Sequence, residues 1–253
     1  MATFQLIRSA TLKVRMNGLT FLIDPMLGEK GSFESYGNLA NNPISDLPLN
    51  VDDILTAVDA VLVSHLHKDH FDDAARELLQ KDIPIFCQPG DQARIAESGF
   101  TNVTEIETNI EFKGVTITRT GGNHGRGEIE KHMGKVSGFV LKVEGEPSIY
   151  IVGDSIFNQK VKQAIDTHKP DYIVTNSGGA FIPGFESDLI LMDESETIDV
   201  ANYAKNSKII AIHLEALDHC TVNRASIQRA ALASGLADRV HIPLDGEELA
   251  LVK

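Results

Sequence analysis

Apolar and polar positions alternate along this chain in short runs that change period at regular intervals. The first three runs, Phe4–Ile7, Thr11–Met16 and Leu19–Ile23, read as β-strands, and Asn17-Gly18 between the last two is a hairpin turn signal. An irregular segment follows from about Leu27 to Leu49, rich in Gly, Asn, Ser and Pro, and loops of that length are often lids or binding loops. Strand Val58–Val63 then leads into helix Phe71–Gln80, where Phe71, Ala74, Ala75, Leu78 and Leu79 mark one buried face. Strand Ile83–Cys87, a short helix Gln92–Glu97, and edge-like strands at Asn102–Ile106 and Ile110–Thr118 come next. Gly138–Val143 and Ser148–Val152 form a second expected hairpin.

The second half resumes the alternation. Lys160–Thr167 should be helical, followed by strand Tyr172–Thr175. Glu194–Lys205 follows Asp193, with Glu196 three residues on completing the pattern of a capping box. Strand Ile209–Ile212, helix Arg224–Ser234 and strands near Arg239–Ile242 and Glu248–Val252 close the chain. Early hairpins plus two rounds of β-α alternation predict an α/β (α+β) protein with two packed sheets and helices outside. No linker or low-complexity tract divides residues 1–253, so one domain is expected.

Composition narrows the class. The chain has 253 residues, 42% of them hydrophobic, and a formal charge of −13. Such acidity argues against general nucleic-acid binding, which depends on basic patches. No apolar run reaches the roughly 18 residues of a membrane span, and the two cysteines, Cys87 and Cys220, suggest no disulfide framework. A cytoplasmic protein without membrane insertion is expected, and a homo-oligomer is left open.

The chemistry is concentrated in Ser64-His65-Leu66-His67-Lys68-Asp69-His70-Phe71-Asp72, which reads H-x-H-x-D-H where a strand meets a helix. Neutral imidazoles and carboxylates are the ligands that Zn²⁺ and similar ions accept. His65 and His67, two apart, can face the same side, whereas the adjacent Asp69 and His70 must point differently. One metal for the first pair and a second nearby for the other is the natural reading. Three more polar groups follow apolar strands: His124 after Val115–Thr120, Asp154 after Ile149–Gly153, and His213 after Ile209–Ile212. Ligands in α/β sheets gather at the carboxyl ends of strands, so four strand ends are expected to converge.

This order of H-x-H-x-D-H, His, Gly-Asp and a late His resembles the metallo-β-lactamase superfamily over residues 4 to 252. Leu22-Ile23-Asp24-Pro25, Val63-Ser64-His65 and Tyr150-Ile151-Val152-Gly153-Asp154-Ser155 look most like its L-ascorbate-6-phosphate lactonase-like branch. The resemblance implies a four-layer αββα sandwich with a two-metal site at the sheet edges. It implies His65, His67 and His124 on one metal, Asp69, His70 and His213 on the other, and Asp154 bridging. The metals would be Zn²⁺, with Mn²⁺ or Fe²⁺ as alternatives. Flavodiiron relatives carry Glu in place of the second motif His, so His67 argues against that redox role.

The expected activity is metal-dependent hydrolysis of a small molecule, with an anionic one among the candidates. A hydroxide shared by the two ions would attack a lactone, ester or amide carbonyl, with Asp69 assisting proton transfer. Phosphodiester cleavage and a non-catalytic metal sensor are the alternatives. His219, six residues past His213, is a candidate substrate-side acid or an ordinary polar loop residue, and Cys220 beside it reads as buried rather than reactive. Asp24 is either an orienter of a ligand His or a turn former. Arg126, Lys131, His132 and Lys135, in the Gly-broken loop after His124, could meet an anionic group, though a solvated loop is the plainer reading. Gly178-Gly179 could bring backbone N–H groups near a substrate; His168 and His241 look incidental.

Overall fold

A computed structural model describes residues 2–253. In chain order the first half contains β1 (Thr3–Arg8), β2 (Thr11–Met16), β3 (Leu19–Ile23), α1 (Val51–Leu55), β4 (Ala60–Val63), α2 (Asp73–Leu78), β5 (Ile85–Cys87), α3 (Gln92–Ala96) and β6 (Val103–Glu105). The second half contains β7 (Asn109–Phe112), β8 (Val115–Gly121), α4 (Glu128–Met133), β9 (Ser137–Lys142), β10 (Ile149–Ile151), α5 (Gln159–His168), β11 (Tyr172–Asn176), α6 (Glu194–Tyr203), β12 (Lys208–Ile212), α7 (Arg224–Ala233), β13 (Val240–His241) and β14 (Glu248–Ala250).

Period-two alternation sorts these strands into two seven-stranded mixed sheets, ordered β14-β1-β2-β3-β4-β5-β6 and β13-β12-β11-β10-β9-β8-β7. Ala60 and Leu62 face a core shared by both sheets, which also holds Phe4, Phe21, Phe139, Ile149, Ile151 and Val174. Val61 and Val63, one position along, face the outer layer instead, with Ile54, Ala75 and Ile95 from α1, α2 and α3. Across the sandwich, Tyr150 and Val152 face outward against Val161, Ile165, Val200, Ala201 and Ile227 of α5, α6 and α7. Apolar residues on both faces are what a sheet covered on both sides requires. The result is the expected αββα sandwich. No helix among the described residues is long and apolar enough to cross a membrane.

Several local expectations change. Ile110–Thr118 is two antiparallel strands, because Lys113 and Gly114 both adopt positive φ (49° and 83°) and turn the chain. That turn leaves β7 at the sheet edge and places β8 inside it, paired to β9. Helix α2 ends at Leu78, so Phe71, Ala75 and Leu79 are buried while Leu78 is 50% exposed. The loop after His124 contains α4, hidden from the sequence by glycines at both of its caps, Gly127 and Gly134. At α6, Asp193 does accept from the Glu196 N–H at 2.8 Å, but the Glu196 carboxylate turns away to the Phe157 N–H and Arg126. The reciprocal capping box belongs to α7, between Asn223 and Ser226.

Candidate metal centre and its cavity

Four strand ends meet at one edge of the sandwich. Past β4 the chain carries His65, His67, Asp69 and His70; past β8, His124; past β10, Asp154; past β12, His213. Two of these positions need unusual backbone. Gly153 turns the chain at φ 73°, where a Cβ would meet the Ser137 carbonyl oxygen at 2.7 Å, and this lets Asp154 leave the strand inward. His213 itself sits at φ 62°, its N–H donating to the Ser9 carbonyl at 3.1 Å.

The convergence forms two adjacent groups. His65, His67 and His124 make one, and Asp69, His70, Asp154 and His213 the other; within each, the ligand-capable atoms lie within 4.8 Å of one another. His65 Nε2 and His67 Nδ1 face each other at 2.9 Å. Asp154 stands between the groups: one carboxylate oxygen lies 3.1 Å from His70 Nε2 and 3.5 Å from His124 Nε2, the other 3.6 Å from His213 Nε2. Asp69 lies 3.2 Å from His213 Nε2 and 3.4 Å from His70 Nε2.

Neighbours fix four of the five imidazoles by their other nitrogen, as metal-ligating histidines require. His65 Nδ1 lies 3.0 Å from Ser64 Oγ, His70 Nδ1 2.8 Å from Asp24, His124 Nδ1 2.7 Å from the Ile190 carbonyl, and His213 Nδ1 3.7 Å from Cys220 Sγ. Asp24 is therefore an orienter, and it also accepts from the N–H and hydroxyl of Ser64, both at 2.7 Å. Asn176, at the end of β11, donates to Asp154 at 2.6 Å. Asn176 bears the same mark in sequence as the others, a polar group straight after an apolar run, but nothing local names the carboxylate it holds. Asp24→Ala is expected to weaken divalent-metal binding by about 10–100-fold, checked by competition with a chromogenic chelator; wild-type affinity would show that His70 needs no such support.

The residues fit a metal on structural grounds. Nε2 of His70 and of His124 are buried without an aligned hydrogen-bond partner, a costly state unless another partner is supplied. Burial holds His65 and His67 below the ordinary imidazole range and lowers His124 to about 4, so these rings are neutral, as ligation demands. Burial opposes ionisation of Asp69 and Asp154, yet the His70 and His213 charges outweigh it and hold both carboxyls well below their usual range. Burial likewise opposes charge on His70 and His213, but Asp154 and Asp69 keep both well above the usual imidazole value. Without metal, then, protons on these two rings balance the buried carboxylates; dications would take their place.

A cavity of about 240 Å³ opens onto the centre. His67, Asp69, His124 and Asp154 form its floor, Leu66, Met133, Ile182 and Ile190 its apolar wall, and Glu34, Tyr36, Lys68 and His219 its polar side. The irregular 27–49 segment thus reaches the site through Glu34 and Tyr36. His219 lines the cavity with Nδ1 buried and unpartnered, and burial keeps its ring below the ordinary range. Burial pushes the Cys220 thiol up, as expected of an unreactive cysteine.

Other candidates sit elsewhere. Arg126 pairs with Glu196, Lys131 with Glu128 at 2.8 Å, and His132 packs on Phe185 at 5.8 Å, while Lys135 lines separate surface pockets. None lines this cavity, because α4 carries Lys131 and His132 on its solvent side and gives the cavity only Met133. Gly178 and Gly179 also miss it. A Cβ at Gly178 would meet the His213 carbonyl at 2.5 Å and Cys220 Sγ at 2.7 Å, so this glycine permits a close chain crossing behind His213.

Comparison with known proteins agrees with this geometry. The Beta-lactamase superfamily domain matches residues 20–214. The UPF0173 protein YddR of Bacillus subtilis (strain 168) is 37% identical over 247 residues, 95% of this chain and 96% of the relative. The crystal structure of a possible metal-dependent hydrolase from Veillonella parvula DSM 2008 superposes with a TM-score of 0.95 at 34% identity, covering 99% of this chain and 100% of that one. That of an isothiocyanate hydrolase from Delia radicum gut bacteria gives 0.92 at 33% identity, covering 98% and 99%. Fold, motif order and near full-length similarity give one answer: the chain belongs to the beta-lactamase superfamily, among relatives named metal-dependent hydrolases.

Proposed function

We propose that this chain is a metal-dependent hydrolase whose two His/Asp groups hold a pair of divalent ions, zinc before manganese or iron. The observation that carries the reading is the convergence of seven ligand-grade side chains, four of them on one cavity floor, with Nε2 of His70 and of His124 buried and without an aligned hydrogen-bond partner. His65, His67 and His124 would hold one ion and Asp69, His70 and His213 the other, with Asp154 shared. Such ions, when bound, supply an activated water and polarise a substrate oxygen.

The chain's own residues do the rest. Asp69 presents its carboxylate to the cavity, where it can take and return a proton. His219 lines the cavity with a ring that burial keeps neutral, and is placed to hold a substrate or leaving-group proton. Leu66, Met133, Ile182 and Ile190 exclude water from the reacting face. Lys68 is the cavity's one cationic side chain, and it pairs with Glu34 at 3.0 Å on an exposed rim. No unpaired cationic side chain is thus offered to an anionic group, and attraction for one would rest on the ions themselves.

A lactone, ester or amide is the first reading. An isothiocyanate is the second, favoured by the 33% identical neighbour of that activity, since its central carbon is also a compact electrophile. Metal analysis of the purified protein, with hydrolysis assays on lactone, ester, amide, isothiocyanate and phosphodiester probes, tests the proposal. Bound metal with turnover of an uncharged probe is expected. Metal without any turnover would make the chain a sensor, and turnover confined to phosphodiesters would overturn the substrate class.

A further inference from the structure

The stretch from Phe33 to Asn42 contains no helix or ladder strand, yet it has one closed shape. Its ends are joined by reciprocal Phe33–Asn42 backbone hydrogen bonds of 2.8 Å. Within it, a single carboxylate gathers the loop. Asp218 accepts from the backbone N–H groups of Tyr36 at 3.0 Å, Gly37 at 3.0 Å, Leu39 at 3.1 Å and Ala40 at 3.3 Å. It also accepts from the Ser35 hydroxyl and from Asn42 Nδ2 at 2.8 Å, while its own N–H donates to Asn42 Oδ1 at 2.8 Å. Backbone N–H groups in an irregular segment need acceptors. Here one side chain from the segment after β12 accepts from four of them, so the segment's position follows that side chain.

The approach is close. A Cβ on Gly37 would meet the Asp218 carbonyl oxygen at 3.1 Å and His219 Cα at 3.2 Å, so the loop backbone lies directly on residues 218 and 219. Tyr36 then stands edge-on to the His219 ring, centroids 5.1 Å apart at 89°, and both rings line the cavity. Beneath them Met26, Phe33 and Leu217 form a small separate core. Burial opposes ionisation of Asp218, but Ser35, Asn42 and the loop amides together hold its carboxyl well below the usual range.

We propose that Asp218 is a positioning residue for substrate recognition: it folds the Ser35–Asn42 segment into a fixed edge of the cavity and seats Tyr36 against His219, so that these two rings set which substrates fit. The proposal rests on reading the cavity as the substrate site.

The test uses zinc-loaded full-length protein, with δ-valerolactone and allyl isothiocyanate as probes. Asp218→Asn is expected to keep wild-type zinc content, to speed amide exchange across residues 36–42 and zinc loss to EDTA by about tenfold each, and to raise KM about fivefold with kcat within twofold. Tyr36→Ala is expected to raise KM by a similar factor, and the double variant no further than Tyr36→Ala alone, because coupled residues are non-additive. Unchanged exchange, unchanged zinc release, or multiplied KM effects in the double variant would each overturn the proposal. If Asp218→Asn does not fold, Ser35→Ala removes one arm alone, and an exchange rate equal to wild type would count against the clamp. If the wild type hydrolyses neither probe, the lactone and isothiocyanate readings fail, and exchange and zinc release alone decide whether Asp218 holds the edge.

Discussion

Asp154→Ala is expected to lower kcat/KM on any probe the wild type hydrolyses by about a thousandfold, equivalent to about 4 kcal/mol of transition-state stabilisation. The same variant should carry less metal by elemental analysis. Asp154 is the carboxylate that stands between the two groups, at 3.1 Å from His70, 3.5 Å from His124 and 3.6 Å from His213. Its removal leaves Asp69 as the only carboxylate of the seven to offset two dications. It also leaves the amide of Asn176 without its 2.6 Å acceptor.

A second readout separates lost metal from lost chemistry. In the metal-free wild type, Asp154 and Asp69 hold His70 and His213 above the ordinary imidazole range, so metal uptake at neutral pH should release protons. The variant should release fewer, and zinc should raise its melting temperature less, since stabilisation follows binding to the native state. Full metal content together with full activity in Asp154→Ala would sink the two-metal scheme.

Arg8→Ala should destabilise the fold by about 3–5 kcal/mol, through carbonyls that lose their donor and the space a large buried side chain vacates. Arg8 ends β1 with no solvent exposure. Its guanidinium donates to the carbonyls of Ser45 at 3.0 Å, Met26 at 3.0 Å and Gly28 at 2.8 Å. Burial lowers its pKa to about 10, with Asp72 acting against the drop, so it remains charged at neutral pH. Truncation would leave two buried and one partly buried carbonyl oxygen without this donor, and a cavity the size of the side chain. Arg8→Lys should recover only part of the loss, because one ammonium cannot reproduce the planar fork. Urea unfolding of the metal-free proteins measures both, and a change below about 1 kcal/mol in Arg8→Ala would refute the account. The three carbonyls belong to the segment that delivers Glu34 and Tyr36 to the cavity, so activity should fall alongside stability.

Much of this protein is legible locally. Strand spans such as Thr11–Met16 and Leu19–Ile23 coincide with the structure because alternation and the Asn17-Gly18 turn act within a few residues. The seven clustered residues can be picked out for a similar reason: each is a polar side chain stranded after an apolar strand. Where local signals mislead, a particular competitor explains it. Lys113-Gly114 turns a run that otherwise reads as one strand, and Leu78 obeys the helical period but falls at the helix end, where the period no longer dictates burial.

Asp218 shows the limit from the other side. In sequence it is one acidic residue before a histidine, about 180 residues from the loop it gathers, and its neighbours say nothing of six donors arriving from that loop. The chemistry of the centre, its residue types and the strands that carry them were determined by the sequence itself, because hydrophobic period and ligand chemistry are properties of neighbouring residues. Which nitrogen of each imidazole faces the centre, that Asp154 lies between the two groups, and that Tyr36 rather than the basic residues after His124 borders the cavity were decided only by tertiary structure. Those facts depend on hydrogen bonds and packing between segments far apart along the chain, and no local pattern records them.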